Sequence, residues 1–175
     1  MPISHVRLFF AVWPDVKTRE NLGAVIGKVP ACAGRMVSKD KLHITLLFLG
    51  RVSPEQARRL TEAAGRIRAG PFSLTIDKPG WWPRPKVLWL GVSVIPPELL
   101  ALVNDLRRLA ADLDLPVDSR PYEPHITYAR KAGRPVLNLE FAPIDWDVRE
   151  FCLVASDTCP DGAEYKILQR WSLAG

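Results

Sequence analysis

The chain holds three histidines and six threonines, and two of the histidines share a setting. His43 and His125 each stand two residues before a threonine, in His43-Ile44-Thr45 and His125-Ile126-Thr127. With so few threonines, a given histidine has about a 3% chance of one at that place, so two matches among three histidines is an event of order a few in a thousand. On a strand, residues i and i+2 share a face, so each motif presents an imidazole beside a hydroxyl. Imidazole, with an ordinary pKa of ~6.5, gives or takes a proton near neutral pH, and a hydroxyl donates to an oxyanion. Two such pairs around one small group suit displacement at phosphorus. One imidazole deprotonates the incoming oxygen, the other protonates the departing one, and Thr45 and Thr127 hold the non-bridging oxygens. A lone histidine on an apolar strand reads more simply as a hydrogen-bonded core or surface residue, and a threonine beside it as a good strand former; the doubling is what argues for catalysis. His5 has no such partner and is given no role.

The elements that carry these motifs are legible from pattern. His5 to Trp13 reads as a strand ending at Pro14, with Asp15 capping a helix whose Leu22, Val25, Ile26 and Val29 form one face. A short extended segment around Arg35 to Val37 precedes Leu42 to Leu49, a strand closed by Gly50. Ser53-Pro54-Glu55-Gln56 is a helix start, and Ala57, Leu60, Ala64 and Ile67 predict a helix running to near Gly70. Phe72 to Ile76 alternates like a strand, Pro79 to Pro83 reads as a loop, and Val87 to Val94 as a further strand. A helix opened by Pro96-Pro97-Glu98 buries Leu99, Val103, Leu106, Ala110 and Leu113, before an extended Tyr122 to Arg130. Strands are expected around Leu137 to Phe141, Val148 to Ala155 and Tyr165 to Trp171.

Laid on itself at an offset of 82 residues, the chain brings Leu8 onto Leu90, Val12 onto Val94, Pro14 onto Pro96 and one His-Ile-Thr onto the other. Each half therefore runs strand, proline-started helix, His-Ile-Thr strand. Residues 1–175 are expected to form one bilobal domain whose halves bring the two motifs together about a pseudo-twofold axis.

Composition bounds the rest. The 175 residues are 47% hydrophobic and 25% charged, as in soluble globular proteins, which excludes wholesale disorder. No apolar run approaches the ~20 residues of a membrane span, and the N-terminus lacks the pattern of a secretory signal, so a cytoplasmic protein without a membrane partner is expected. Cys32, Cys152 and Cys159 are too scattered for a disulfide framework or a zinc finger. No His-Glu-x-x-His, paired-aspartate or phosphate-loop motif occurs, so neither a metal nor another cofactor is expected. Nor does a coiled-coil heptad, and a monomer is expected. The net charge of +5 includes clustered arginines (Arg58, Arg59, Arg66 and Arg68; Arg107 and Arg108; Arg120, Arg130 and Arg134) that suit either phosphate recognition or solvated helix faces. A charge this modest predicts a shallow salt dependence of binding to a polyanion, as for one terminal phosphate.

The segments LHITLLFLG and PHITYAR resemble the paired His-x-Thr-x motifs of the two-histidine (2H) phosphoesterases. Within them they are similar to the bacterial and archaeal RNA 2′,3′-cyclic phosphodiesterases once called 2′,5′ RNA ligases. The likeness covers nearly the whole chain: Arg7 to Ala11 resembles the family's opening strand, WWPRPKVLWLG its aromatic-proline loop and next strand, and YKILQRWSL its last strand. It implies an α+β fold of two antiparallel sheets flanking a V-shaped cleft, with helices outside. It also implies metal-independent opening of RNA 2′,3′-cyclic phosphate ends to a 2′-phosphate, with His43 as proton donor to the 3′ oxygen and His125 as proton acceptor from water; the reverse reaction would form a 2′,5′ linkage. From the residues alone the two imidazoles could exchange these roles.

Arg130 matches an arginine that the family associates with substrate contact, yet strict alternation puts it opposite His125 and Thr127, so it serves the cleft only if the strand ends or bulges near Ala129. Tyr128 stands where the family commonly has leucine, at a position expected to face away from the cleft. Phe9 and Phe48 read either as stacking platforms for a terminal base or as core aromatics, and the Trp81-Trp82 loop either as cover for an RNA strand or as a cap on a sheet. Two other functions compete: hydrolysis of small cyclic phosphates, such as an ADP-ribose cyclic phosphate or a cyclic nucleotide, and a non-catalytic RNA-binding module.

Overall fold

The computed structural model of the protein describes residues 5–30, 33–136, 138–160 and 162–174, so Cys32 and Leu137 lie outside the described residues. The elements are β1 (Val6–Val12), α1 (Val16–Ile26), β2 (Arg35–Met36), β3 (Ile44–Val52), α2 (Pro54–Ala64), β4 (Phe72–Ile76) and β5 (Lys78–Trp82). They continue with β6 (Val87–Gly91), α3 (Pro97–Ala111), β7 (His125–Arg130), β8 (Ile144–Val148), β9 (Glu150–Cys159) and β10 (Gly162–Ser172). The fold is α+β with two antiparallel sheets. The larger runs β10-β9-β1-β3-β7-β6-β5, with β2 added against β7, and the smaller is β4-β8.

Local chemistry starts the helices where the sequence says. The Asp15 carboxylate accepts from the Thr18 amide at 2.7 Å, and Ser53 and Gln56 form a reciprocal capping box behind Pro54. α2 stops at Ala64 with Gly65 at its C-cap, short of Gly70. Leu22, Leu60, Leu102 and Leu106 from the helices pack with Leu8, Phe10, Ile44, Leu46 and Trp146 in one main core. Burying such side chains contributes roughly 1.5–3 kcal/mol each relative to exposure.

Two expected elements differ. Pro79 to Pro83 is not a free loop: Lys78–Trp82 pairs with Val87–Gly91 as a hairpin, from Trp82↔Val87 to Lys78↔Gly91, with Pro79 on an edge strand where a missing N–H is tolerated. Residues 138–143 form no strand. The strand in that region is β8, whose register Leu74↔Trp146 buries Trp146 and turns Asp145 and Asp147 outward to accept from Thr75 and Ser73 at 3.0 and 2.6 Å.

The large sheet has two four-stranded halves that meet at one pair, Ile44↔Ile126. In the first half β1 lies between β3 and β9, and in the second β6 lies between β7 and β5. The outer strands are exchanged: β9, from the C-terminal part of the chain, completes the sheet around β1, whereas β5, from the N-terminal part, completes the sheet around β6.

Candidate active site

Ile44 and Ile126, the residues that join the halves, are the middle members of the two His-Ile-Thr motifs. Both are fully buried on the core side, so the flanking histidines and threonines lie on the opposite face, where all four are half-buried. Antiparallel register about that pair sets His43 across from Thr127 and Thr45 across from His125. The Tyr122 hydroxyl, on the segment leading to His125, donates to the Thr45 carbonyl at 2.9 Å and ties the two motifs further.

The imidazoles are held alike. His43 Nδ1 lies 2.8 Å from the Lys41 carbonyl and His125 Nδ1 2.7 Å from the Glu123 carbonyl, each two residues upstream. A carbonyl only accepts, so each Nδ1 carries the proton and each Nε2 is left as the exchangeable nitrogen. Around His43 the walls are aromatic. Trp13 stacks on it with centroids 4.7 Å apart and planes 10° apart, Phe9 lies at 5.1 Å and Tyr165 meets it edge-on at 5.2 Å. His125 meets Trp82 edge-on at 4.6 Å and Trp89 at 6.4 Å.

These walls set the proton affinities. Burial drives the His43 pKa down from 6.5 to about 4, against the upward pull of its bond to Lys41 and with the positive charges of Arg130 and His125 adding to the depression. Burial also lowers His125, partly offset by its bond to the Glu123 carbonyl and by the Glu123 charge, while Arg130 again depresses it. Both rings are therefore neutral at pH 7 in the free protein.

Arg130 reaches both imidazoles electrostatically because β7 is not regular. Against β6, Leu88 pairs with Ala129 and the next residue, Trp89, with Thr127, so Tyr128 is an extra residue. Tyr128 and Ala129 both enter the main core, and Arg130 emerges on the histidine face. β3 does the same: Phe10 pairs with Leu47 and Ala11 with Thr45, so Leu46 is extra, Leu46 and Leu47 are both buried, and Phe48 emerges 66% exposed. The two extra residues are 82 positions apart.

Phe9 is only 2% exposed and packs against His43, Phe48 and Tyr165, in a small apolar cluster with Ala11, Cys152 and Val154 separate from the main core. It forms the floor beneath His43 and offers no face to a base, whereas Phe48 is exposed. Trp81 donates from Nε1 to the Ala132 carbonyl at 3.0 Å, and its neighbour Trp82 forms the wall of His125. Trp13, Trp82, Trp89 and Tyr165 are the contacts that sequence reasoning missed. A signal existed in LFFAVW, which is apolar on both faces and so marks a strand covered on both sides.

Among the described residues no group of three or more His, Cys, Asp or Glu could hold a metal, and no helix is long and apolar enough to cross a membrane.

Comparison with known proteins agrees with this geometry. The sequence profile described as "2′-5′ RNA ligase superfamily" matches residues 12–158. A protein of Escherichia coli K12 named RNA 2′,3′-cyclic phosphodiesterase is 41% identical, over 95% of this chain and 96% of its own. One of the same name from Archaeoglobus fulgidus is 31% identical, over 94% and 98%. The crystal structure of E. coli LigT complexed with 3′-AMP superposes with a TM-score of 0.89 at 40% identity, covering 98% of this chain and all of that one. Two motifs joined back to back at Ile44 and Ile126, in a chain similar to these proteins over nearly its full length, make it a member of the 2′-5′ RNA ligase superfamily.

Proposed function

We infer that the protein hydrolyses 2′,3′-cyclic phosphate ends of RNA to 2′-phosphates. The observation that carries this reading is the matched pair of imidazoles, each fixed through Nδ1 to a backbone carbonyl and each leaving Nε2 free beside a threonine, on either side of one backbone pair. The name borne by the E. coli relative supports the substrate class.

In the reaction, water attacks phosphorus in line with the 3′ oxygen. His125 Nε2 takes the water proton as the new P–O bond forms, the P–O3′ bond breaks, and the proton on His43 Nε2 passes to O3′. The hydroxyls of Thr45 and Thr127 donate to the non-bridging oxygens as their charge grows, and the Arg130 guanidinium offsets the phosphate charge. Both rings are neutral at rest, so the donor proton is taken up from solvent as the anionic substrate binds, its charge raising the proton affinity of the imidazoles it touches. Phe48, exposed beside this face, offers a surface on which the terminal base stacks. The scheme needs no metal, and it treats residues 1–175 as one catalytic unit.

The test is turnover of a short RNA ending in a 2′,3′-cyclic phosphate in excess EDTA, with the product read by phosphorus NMR. We expect a 2′-phosphate, and His43→Ala and His125→Ala proteins that keep the wild-type circular dichroism but lose on the order of 100-fold or more in kcat. A wild-type rate in either variant would overturn the mechanism, and turnover lost on chelation would overturn its independence of metal.

A further inference from the structure

The charge of this protein is segregated along the chain. Residues 21–39, 78–97 and 124–139 contain nine of its 24 lysines and arginines and none of its 19 acidic residues, leaving 15 basic against 19 acidic elsewhere. The whole of the positive balance therefore resides in three segments, and the rest of the molecule is net negative. The fold gathers these segments. β2, β7 and β6 are adjacent, and the register sets Arg35 beside Arg130 and Val87 on its other side. At that end of the ladder stand Arg35, Arg84, Lys86, Arg130, Lys131 and Arg134, all exposed. None of the six has an ion-pair partner among the described residues, whereas Arg58, Arg108, Arg120 and Arg170 each do.

The backbone adds an independent sign. Lys86 and Lys131 both adopt left-handed conformations, φ 65° and 55°, at the ends of β6 and β7, and the Lys86 carbonyl accepts from the Ala132 amide at 2.9 Å. Glycine or asparagine would occupy such positions with less strain. Two lysines there, in a stretch without a carboxylate, point to a use for their charge.

We propose that this surface, from Arg130 outward over Lys86, Lys131 and Arg134, binds the sugar-phosphate backbone of an RNA strand whose 3′ end lies at the two histidines. The proposal rests on the phosphodiesterase reading and extends it: the preferred substrate is an oligonucleotide, held by phosphates upstream of the reacting one. A mononucleotide would be used without this surface. The patch begins at the one arginine whose field reaches both imidazoles, so it is continuous with the reacting centre. Six exposed cations in one region, without ion-pair partners among the described residues, exceed what a single terminal phosphate requires and suit a polyanion. Ammonium and guanidinium groups that contact only phosphates read no bases, so the grip is independent of sequence. It also makes the salt dependence steeper than a net charge of +5 would give.

The experiment measures kcat/KM for a nucleoside 2′,3′-cyclic phosphate and for an oligoribonucleotide ending in the same group, over a range of salt. Wild type is compared with Lys86→Gln/Arg134→Gln, two exposed residues outside the reacting centre. Single-stranded contacts contribute a slope of about 0.7 each, so loss of two flattens the salt slope on the oligomer by about 1.4 and lowers its kcat/KM roughly 25-fold at 0.1 M salt, mainly through KM. The rate on the mononucleotide is expected to stay unchanged. An unchanged rate and slope on the oligomer, or an equal loss on both substrates, would overturn the proposal while leaving the phosphodiesterase reading intact. Wild-type protein inert on both substrates would instead overturn that reading, and the proposal with it.

Discussion

At His43 stability and chemistry pull in opposite directions. It sits among Trp13, Phe9 and Tyr165, where its charged form is disfavoured, and its pKa falls to about 4. An unfolded chain binds a proton at His43 near pH 6.5 and the folded one only near 4, so acid favours unfolding across that interval. The difference corresponds to roughly 3 kcal/mol, fully felt below pH 4 and absent above 6.5. His43→Gln, which keeps polarity without a proton to bind, should flatten the fall in denaturation midpoint between pH 6.5 and 4; an unchanged pH dependence would contradict this burial. The presence of His43, Thr45, His125 and Thr127 on one face was legible in the sequence, because residue type and spacing on a strand fix it. The orientation of the rings was not, because it depends on the carbonyls of Lys41 and Glu123, which any residue supplies.

At the scale of elements, the alternation rule works up to Thr45 and Thr127 and fails one residue later. The extra residues Leu46 and Tyr128 reverse the faces that follow, and Arg130 joins the histidines through that reversal. The sequence held a trace of it: in both motifs two apolar residues follow the threonine, Leu46-Leu47 and Tyr128-Ala129, where alternation calls for one. Because Arg130 depresses both imidazoles, Arg130→Gln should raise both pKa values in a histidine NMR titration. Movement of neither resonance would mean that the bulge does not bring the guanidinium to this face. The hairpin of β5 and β6 was hidden by Pro79 and Gly80, which read as loop residues. Gly80 is needed for another reason, because a Cβ there would lie 2.0 Å from the Trp89 ring. The strand at Ile144–Val148 was misplaced because Asp145 and Asp147 weaken its apolar pattern, and their cross-strand partners Thr75 and Ser73 are known only once the strands are paired.

For the molecule as a whole, the offset of 82 residues made the relation between the motifs legible, and the exchange of outer strands was beyond it, since similarity between segments does not say which segment pairs with which. With β9 laid on β1 and β5 laid on β6, neither half of the chain forms a complete sheet from its own strands. We expect one cooperative unfolding transition in denaturant, with tryptophan fluorescence and far-ultraviolet circular dichroism coincident. Separate midpoints would show that the halves are independent.

The exchanged strands also limit the ways the molecule can move. Only Asp77 separates β4 from β5 and only Arg149 separates β8 from β9, so each crossing is made with almost no slack. Drawing the two halves of the large sheet apart would break the Ile44–Ile126 pair and pull β4, tied to β5, against β8, tied to β9, a five-pair ladder, whereas a small twist about Ile44 and Ile126 would strip none. Of six rigid-body degrees of freedom between the halves, one rotation is left soft and the separating translation is stiff. The span between the two imidazoles is therefore set by the stitching of the chain rather than by the arrival of a substrate.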